Sequence, residues 1–140
     1  MKISNFSLTL STTGGTDVVD ITHSVREKLA GSGISEGQVV LFVPGSTASL
    51  TTIEYESGVI EDLQNAIERI APRDISYRHD ARWGDGNGYS HVRAALLGPS
   101  LVIPVIDGGL TLGTWQQIIV LDFDNRPRRR QIIGQISGSE

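Results

Sequence analysis

The chain has 140 residues, 39% of them hydrophobic and 20% charged, with a formal net charge of −4 and no cysteine. That length and balance suit one folded domain with one shared core, and exclude a disordered segment. Disulfides, thiolate metal sites and a cysteine nucleophile are excluded. The negative charge argues against non-specific nucleic-acid binding, and no apolar run reaches the ~20 residues of a membrane helix. The first fifteen residues alternate like a strand and lack the continuous apolar stretch of a signal peptide, so a cytoplasmic location is expected.

In chain order, Lys2 to Ser11 sets Phe6, Leu8 and Leu10 on one face of a strand. A turn at Thr12 to Thr16 leads to a second strand, Asp17 to Ile21, expected to form a hairpin with the first. Thr22 then reads as the N-cap of a short helix that presents Val25 and Leu29 and stops at Gly31 and Gly33. Gln38 to Val43 is a nearly continuous apolar strand ended by Pro44 and Gly45, and Ser46 to Tyr55 a polar-faced one.

The clearest helix is Gly58 to Ala71, capped by Ser57, with Val59, Leu63, Ala66, Ile67 and Ile70 as its apolar stripe. A long connection from Arg73 to Gly88 contains the run Gly84-Asp85-Gly86-Asn87-Gly88, and a loop of that length in a compact domain is usually functional or mobile. A short helix over Ser90 to Leu97 follows, then strands over Leu101 to Ile106, Trp115 to Asp124 and Arg129 to Ser137. The predicted class is α+β, a single domain over residues 1–140, with a mostly antiparallel sheet or sandwich and two or three helices.

The chemistry-bearing residues are few. His23 reads as a surface helix residue, whereas His79 and His91 flank the glycine-rich connection, where converging imidazoles could bind a metal. Pro44-Gly45-Ser46-Thr47 follows a buried strand, and its amides and hydroxyls could cradle an anion, a plain bend between strands being the alternative. Glu54 and Glu56 are possible acids or bases, or simply a solvated strand face. Trp115 and Gln116 could wall a pocket, or pack in a core. The basic cluster Arg126 and Arg128 to Arg130 reads as a solvated turn, with an anion site as the alternative.

Several segments together resemble the YjbQ-like family, also labelled secondary thiamine-phosphate synthase. They are Val43-Pro44-Gly45-Ser46-Thr47-Ala48 with Glu54, Glu61-Asp62-Leu63, Tyr77-Arg78-His79, Asn87 with His91, Gly98-Pro99-Ser100, Pro104-Val105 and Asp107-Gly108. The most specific is Leu112-Gly113-Thr114-Trp115-Gln116. The resemblance implies a β-rich homotrimer with a histidine site near the subunit interface that holds zinc or another divalent metal. It implies weak thiamine-phosphate synthase activity on phosphorylated small molecules, joining a pyrimidine pyrophosphate to a thiazole phosphate with release of pyrophosphate. Carried over, the metal ligands are His79 and His91, and Glu54 is an acid–base or metal partner. Gly45, Ser46, Thr47, Asn87, Trp115 and Gln116 are ligand contacts. Gly45 stands where the family usually has a third histidine, and Ser57 where it often has Asp. A non-catalytic trimer that binds a small ligand or partner is the alternative implied by that departure.

Overall fold

The structure is a computed structural model that describes residues 1–140. Its eight strands and four helices run β1 (Lys2–Thr12), β2 (Asp17–Asp20), α1 (Thr22–Ser32), β3 (Glu36–Phe42), β4 (Ala48–Glu54) and α2 (Ser57–Ile70). They continue with α3 (Arg78–Trp83), α4 (Gly88–Leu97), β5 (Ser100–Ile106), β6 (Gly109–Leu110), β7 (Gln116–Asp122) and β8 (Arg128–Ser139). A five-stranded sheet in the order β1-β8-β3-β5-β6 stacks on a three-stranded sheet, β2-β7-β4, and every pairing is antiparallel. The predicted α+β class is therefore observed, with four helices in place of two or three.

The two ends of the chain meet, since β1 pairs with β8 from Lys2↔Gly138 to Thr12↔Arg128. This long non-local ladder replaces the expected hairpin, because β2 crosses to the other sheet and pairs with β7, Asp17 opposite Asp122. Between the sheets lies a core of Val39, Leu41, Leu50, Ile118, Val120, Ile132 and Ile136, closed by Val25 and Leu29 of α1. A second cluster on the far face of the small sheet joins Ile119, Leu121 and Phe123 to Ile67 of α2 and Ala94 of α4.

β7 therefore has alternate residues in different cores, and Ile118 to Leu121 are all fully buried. A strand covered on both faces needs such a continuous apolar run. Each such side chain contributes ~1.5–3 kcal/mol by leaving water. The same burial leaves Ile118 to Leu121 no surface to offer a subunit interface.

Two helix starts differ from the reading of the sequence. Thr22 lies inside α1, its hydroxyl donating to Asp20 Oδ1 at 2.6 Å and accepting from the Ile118 amide at 2.7 Å. The cap of α2 is Glu56, one residue before Ser57, whose carboxylate accepts from the Gly58 and Val59 amides. Those bonds hold the Glu56 carboxyl below its ordinary range despite a small opposing effect of desolvation. Glu56 is a helix cap, and its carboxylate is spoken for. The helix α1 runs through Gly31 and ends at Gly33.

Candidate functional site

The connection expected to be a bare loop contains α3, and this short helix builds the site. It carries His79 toward α4, where the His79 and His91 rings lie with centroids 4.4 Å apart and a 39° tilt. Asp80 anchors the arrangement. Its Oδ1 accepts the Gly88 amide at 2.8 Å and His79 Nδ1 at 3.3 Å. Asp85 Oδ1 lies 3.4 Å from the same nitrogen.

Gly88 is required at this junction, since a β-carbon there would stand 2.5 Å from Tyr77 Cβ. Tyr77 in turn donates its hydroxyl to the Pro72 carbonyl at 2.6 Å, and burial raises its pKa. The junction of α3 and α4 is thus built for close approach, with the imidazole pair at its rim.

Ligand atoms of His79, Asp80 and Asp85 all lie within 4.8 Å of one another. His91 lies outside that group but beside the His79 ring, and imidazole nitrogens backed by carboxylates are donors of the kind that zinc or a similar divalent ion takes. A carboxylate that accepts from one imidazole nitrogen leaves the other free for a metal and fixes the ring. Asp80 and Asp85 were absent from the reading of the sequence. Their signal was local, an Asp directly after His79 and another within the glycine-rich run.

Behind the imidazoles lies a buried polar network that sequence patterning did not reveal. Asp122 and Asp124 at the end of β7 are both fully buried. Arg130 holds Asp122 with Nε to Oδ2 at 2.7 Å and Nη2 to Oδ1 at 3.0 Å. Arg128 holds Asp124 at 3.0 Å, and Asp124 also accepts from Thr47 Oγ1 at 2.9 Å and Asn87 Nδ2 at 3.2 Å. Burial would raise the Asp124 pKa, but the bonds from Arg128, Thr47 and Asn87 outweigh it and hold the carboxyl below its ordinary value. The bond to Asp122 likewise raises the Arg130 pKa against desolvation.

The basic cluster is consequently not a solvated turn. Arg126 stays exposed in the turn before β8, and strand alternation sends Arg129 to solvent while Arg128 and Arg130 turn inward onto the aspartates.

The predicted site residues separate into two groups. Gly45, Ser46, Thr47 and Asn87 belong to the end of the sheet where Asp122 and Asp124 lie. The Thr47 hydroxyl and the Asn87 amide are committed to Asp124, and Asn87 Oδ1 accepts from Ser90 and the Asn125 amide. Gly45 has φ of 110°, and the only atom within 4 Å of a β-carbon placed on it would be Arg130 Nη1, at 3.2 Å.

Glu54, Trp115 and Gln116 lie at the other end. Glu54 pairs with Gln116, six register steps from the Ala48–Asp122 pair, or roughly 20 Å along the strands. Trp115 is 73% exposed, so it walls no pocket within one chain. Gln116 spends its amide on the Gly113 N–H and the Thr52 hydroxyl. His23 is on the surface beside Glu27, as expected.

A family model described as "UPF0047 protein YjbQ-like" matches residues 6–139. A UPF0047 protein of Archaeoglobus fulgidus is 39% identical over 126 residues, 90% of this chain and 95% of that one. Another, from Methanothermobacter thermautotrophicus, is 38% identical over 99% of this chain and 94% of its own length. The crystal structure of a YbjQ-like protein of unknown function from Sulfolobus solfataricus superimposes with a TM-score of 0.93 at 33% identity, covering 99% of both chains. A hypothetical protein from Aeropyrum pernix does so at 0.90 and 32%, over 97% of this chain and 99% of that one. With a matching model over nearly its whole length and relatives well above 30% identity, this chain belongs to the YjbQ-like UPF0047 family.

Proposed function

We propose that the protein acts on a phosphorylated small molecule at a divalent-metal centre carried by His79 and His91. The observation that supports this reading is the approach of the two ring centroids to 4.4 Å, with Asp80 bonded to His79 and Asp85 3.4 Å from the same nitrogen. His79 and His91 would hold the ion, zinc being the natural fit, while the two carboxylates fix the ring and add negative charge. A bound divalent ion supplies Lewis-acid charge opposite a leaving pyrophosphate. Thr47 and Asn87 would act indirectly, by keeping Asp124 saturated and the Gly45 bend in place. The reaction class is pyrophosphate-releasing transfer of the thiamine-phosphate synthase type.

Glu54, Trp115 and Gln116 are ~20 Å of strand away from the Gly45 end, so they enter this reading only across a subunit boundary. A homotrimer would bring them to a neighbour's histidines. Its apolar contacts would come from the outer face of the five-stranded sheet, where Phe42, Val102, Ile106 and Ile133 are exposed. A second reading, a trimer that binds a phosphorylated ligand without turning it over, is favoured by Gly45 in the place of a third imidazole.

The test is metal analysis of protein purified without chelators or affinity nickel, followed by an assay for pyrophosphate release from the pyrimidine and thiazole substrates. About one zinc per chain, lost in His79→Ala and His91→Ala, is expected. Pyrophosphate release that also falls in those variants separates the enzyme from the binding protein. Absence of any divalent ion after reconstitution would sink the metal centre in both readings.

A further inference from the structure

We propose that Arg130, uncovered by the glycine at position 45, is an anion-binding residue that receives a phosphoryl group of the ligand. The proposal rests on the phosphorylated-ligand reading above and names the seat for that group. A guanidinium has five N–H donors, and Arg130 spends those on one side only. Nε donates to Asp122 Oδ2, and Nη2 to Asp122 Oδ1 and Thr47 Oγ1. Nη1 donates to no group of the protein, although the side chain as a whole is only 10% exposed.

That free nitrogen faces position 45. A β-carbon on residue 45 would stand 3.2 Å from it with no other atom within 4 Å, so any side chain there would cover the donor. Beside it, the backbone amides of Gly45, Ser46 and Thr47 lie between β3 and β4 and make no hydrogen bond within the chain. Gly45 and Ser46, with Ala48, Ala94, Ala95 and Pro99, also line a small, largely apolar cleft of about 200 Å³, of whose lining Arg130 is not part. Ala94 and Ala95 follow His91 by three and four residues on α4, which puts this cleft on the histidine-bearing helix.

The occupant follows from the donors. Successive unpaired amides and a guanidinium edge are the elements that recognise phosphate oxygens. Donors from several directions suit the three acceptor oxygens of a phosphoryl group better than the two of a carboxylate. The nearby aspartates do not repel it outright, because Arg128 and Arg130 offset Asp122 and Asp124 one for one. Arg130 is fixed by Asp122 before any ligand arrives, so little side-chain order is lost on binding.

The experiment is calorimetric titration of metal-free protein with inorganic pyrophosphate, with acetate as the carboxylate control. Wild type should bind pyrophosphate and ignore acetate. Gly45→Ala should bind at least tenfold more weakly, because its methyl group covers Nη1 while the Arg130–Asp122 pair stays intact. Should that variant fail to melt cooperatively, Arg130→Lys decides, since lysine keeps the charge near Asp122 but loses the second fork; it too should lose tenfold or more. Pyrophosphate binding should persist in the His79→Ala, His91→Ala double variant, which separates this seat from the metal centre. No binding by metal-free wild type, or equal binding by the folded variants, overturns the proposal.

Discussion

Arg130 and Asp122 form a two-pronged ion pair in which the carboxylate is wholly buried and the guanidinium nearly so, with Nε to Oδ2 at 2.7 Å and Nη2 to Oδ1 at 3.0 Å. The pair ties the start of β8 to the end of β7, and so one sheet to the other. Removing one partner strands a buried charge, which typically costs about 3–5 kcal/mol. Arg130→Ala should therefore lower the urea midpoint by that equivalent, and adding Asp122→Asn should restore a substantial part. A double variant no more stable than Arg130→Ala would show that the loss comes from packing and not from the charge.

The pH dependence follows from Asp124. Its folded-state pKa lies below the unfolded value of ~3.9 because Arg128, Thr47 and Asn87 favour the ionised form. The unfolded chain then binds the proton first on acidification. The stabilisation is complete above the unfolded pKa and is lost as pH falls through the folded one. Melting temperature should drop below about pH 4, and Asp124→Asn should flatten that acid limb. An unchanged limb in the variant would assign it to other carboxylates.

Gly88→Ala tests the α3–α4 junction. The added β-carbon would meet Tyr77 Cβ at 2.5 Å and Asp80 Oδ1 at 3.1 Å. Overpacking of this kind costs about 1–3 kcal/mol. Because Asp80 also holds His79, zinc affinity should fall together with stability. A stability loss with unaltered zinc affinity would mean that the junction does not position the imidazoles.

How much of this was legible in the sequence varies with the reach of the interaction. Strand alternation and the Ile118 to Leu121 run specified β1 and β7, because burial on one face or two writes itself into neighbouring residues. The run does not by itself say what covers it, since an apolar strand covered by helices and one covered by another subunit read alike. The helix α3 was missed because six residues with no buried member leave no apolar stripe.

The structure brings the His79 and His91 rings together, a proximity that their spacing alone hardly indicated and that the family resemblance implied. Arg128 and Arg130 were misjudged for a physical reason. Their partners Asp122 and Asp124 lie across a turn, and charge in a Pro-containing turn resembles solvent exposure until the strand register is known. Glu54 shows the limit of motif order, since adjacency in a family pattern does not place it near the Gly45 end.

The proposed trimer predicts a response on the outer sheet face. Val102 lies opposite Val40, and Phe42 opposite Ile133, so exposed Phe42, Val102 and Ile133 and half-buried Val40 form one apolar patch across β5, β3 and β8. A Val102→Glu, Ile133→Glu variant should run as a monomer by light scattering where wild type is a trimer. A monomeric wild type at micromolar concentration would remove the trimer, and a trimeric variant would move its interface elsewhere.

Gly45→His sets metal chemistry against anion chemistry at one position. An imidazole at residue 45 would supply the third ligand that zinc centres usually have, and each tenfold gain in affinity corresponds to ~1.4 kcal/mol. Against it stands the backbone, because φ of 110° is a conformation that costs a non-glycine residue about 1–3 kcal/mol. The new β-carbon would also press on Arg130 Nη1 at 3.2 Å. Those costs are borne by the folded protein with or without zinc, so they lower the melting temperature and largely cancel in the binding equilibrium. The expected outcome is a less stable protein with at least tenfold tighter zinc binding by chelator competition, and weaker pyrophosphate binding when metal-free. Equal zinc affinity in the two folded proteins would mean that residue 45 does not face His79 and His91. Retained pyrophosphate affinity would mean that Nη1 is not the anion seat. The two failures are independent, because the first concerns where the side chain points and the second concerns what it covers.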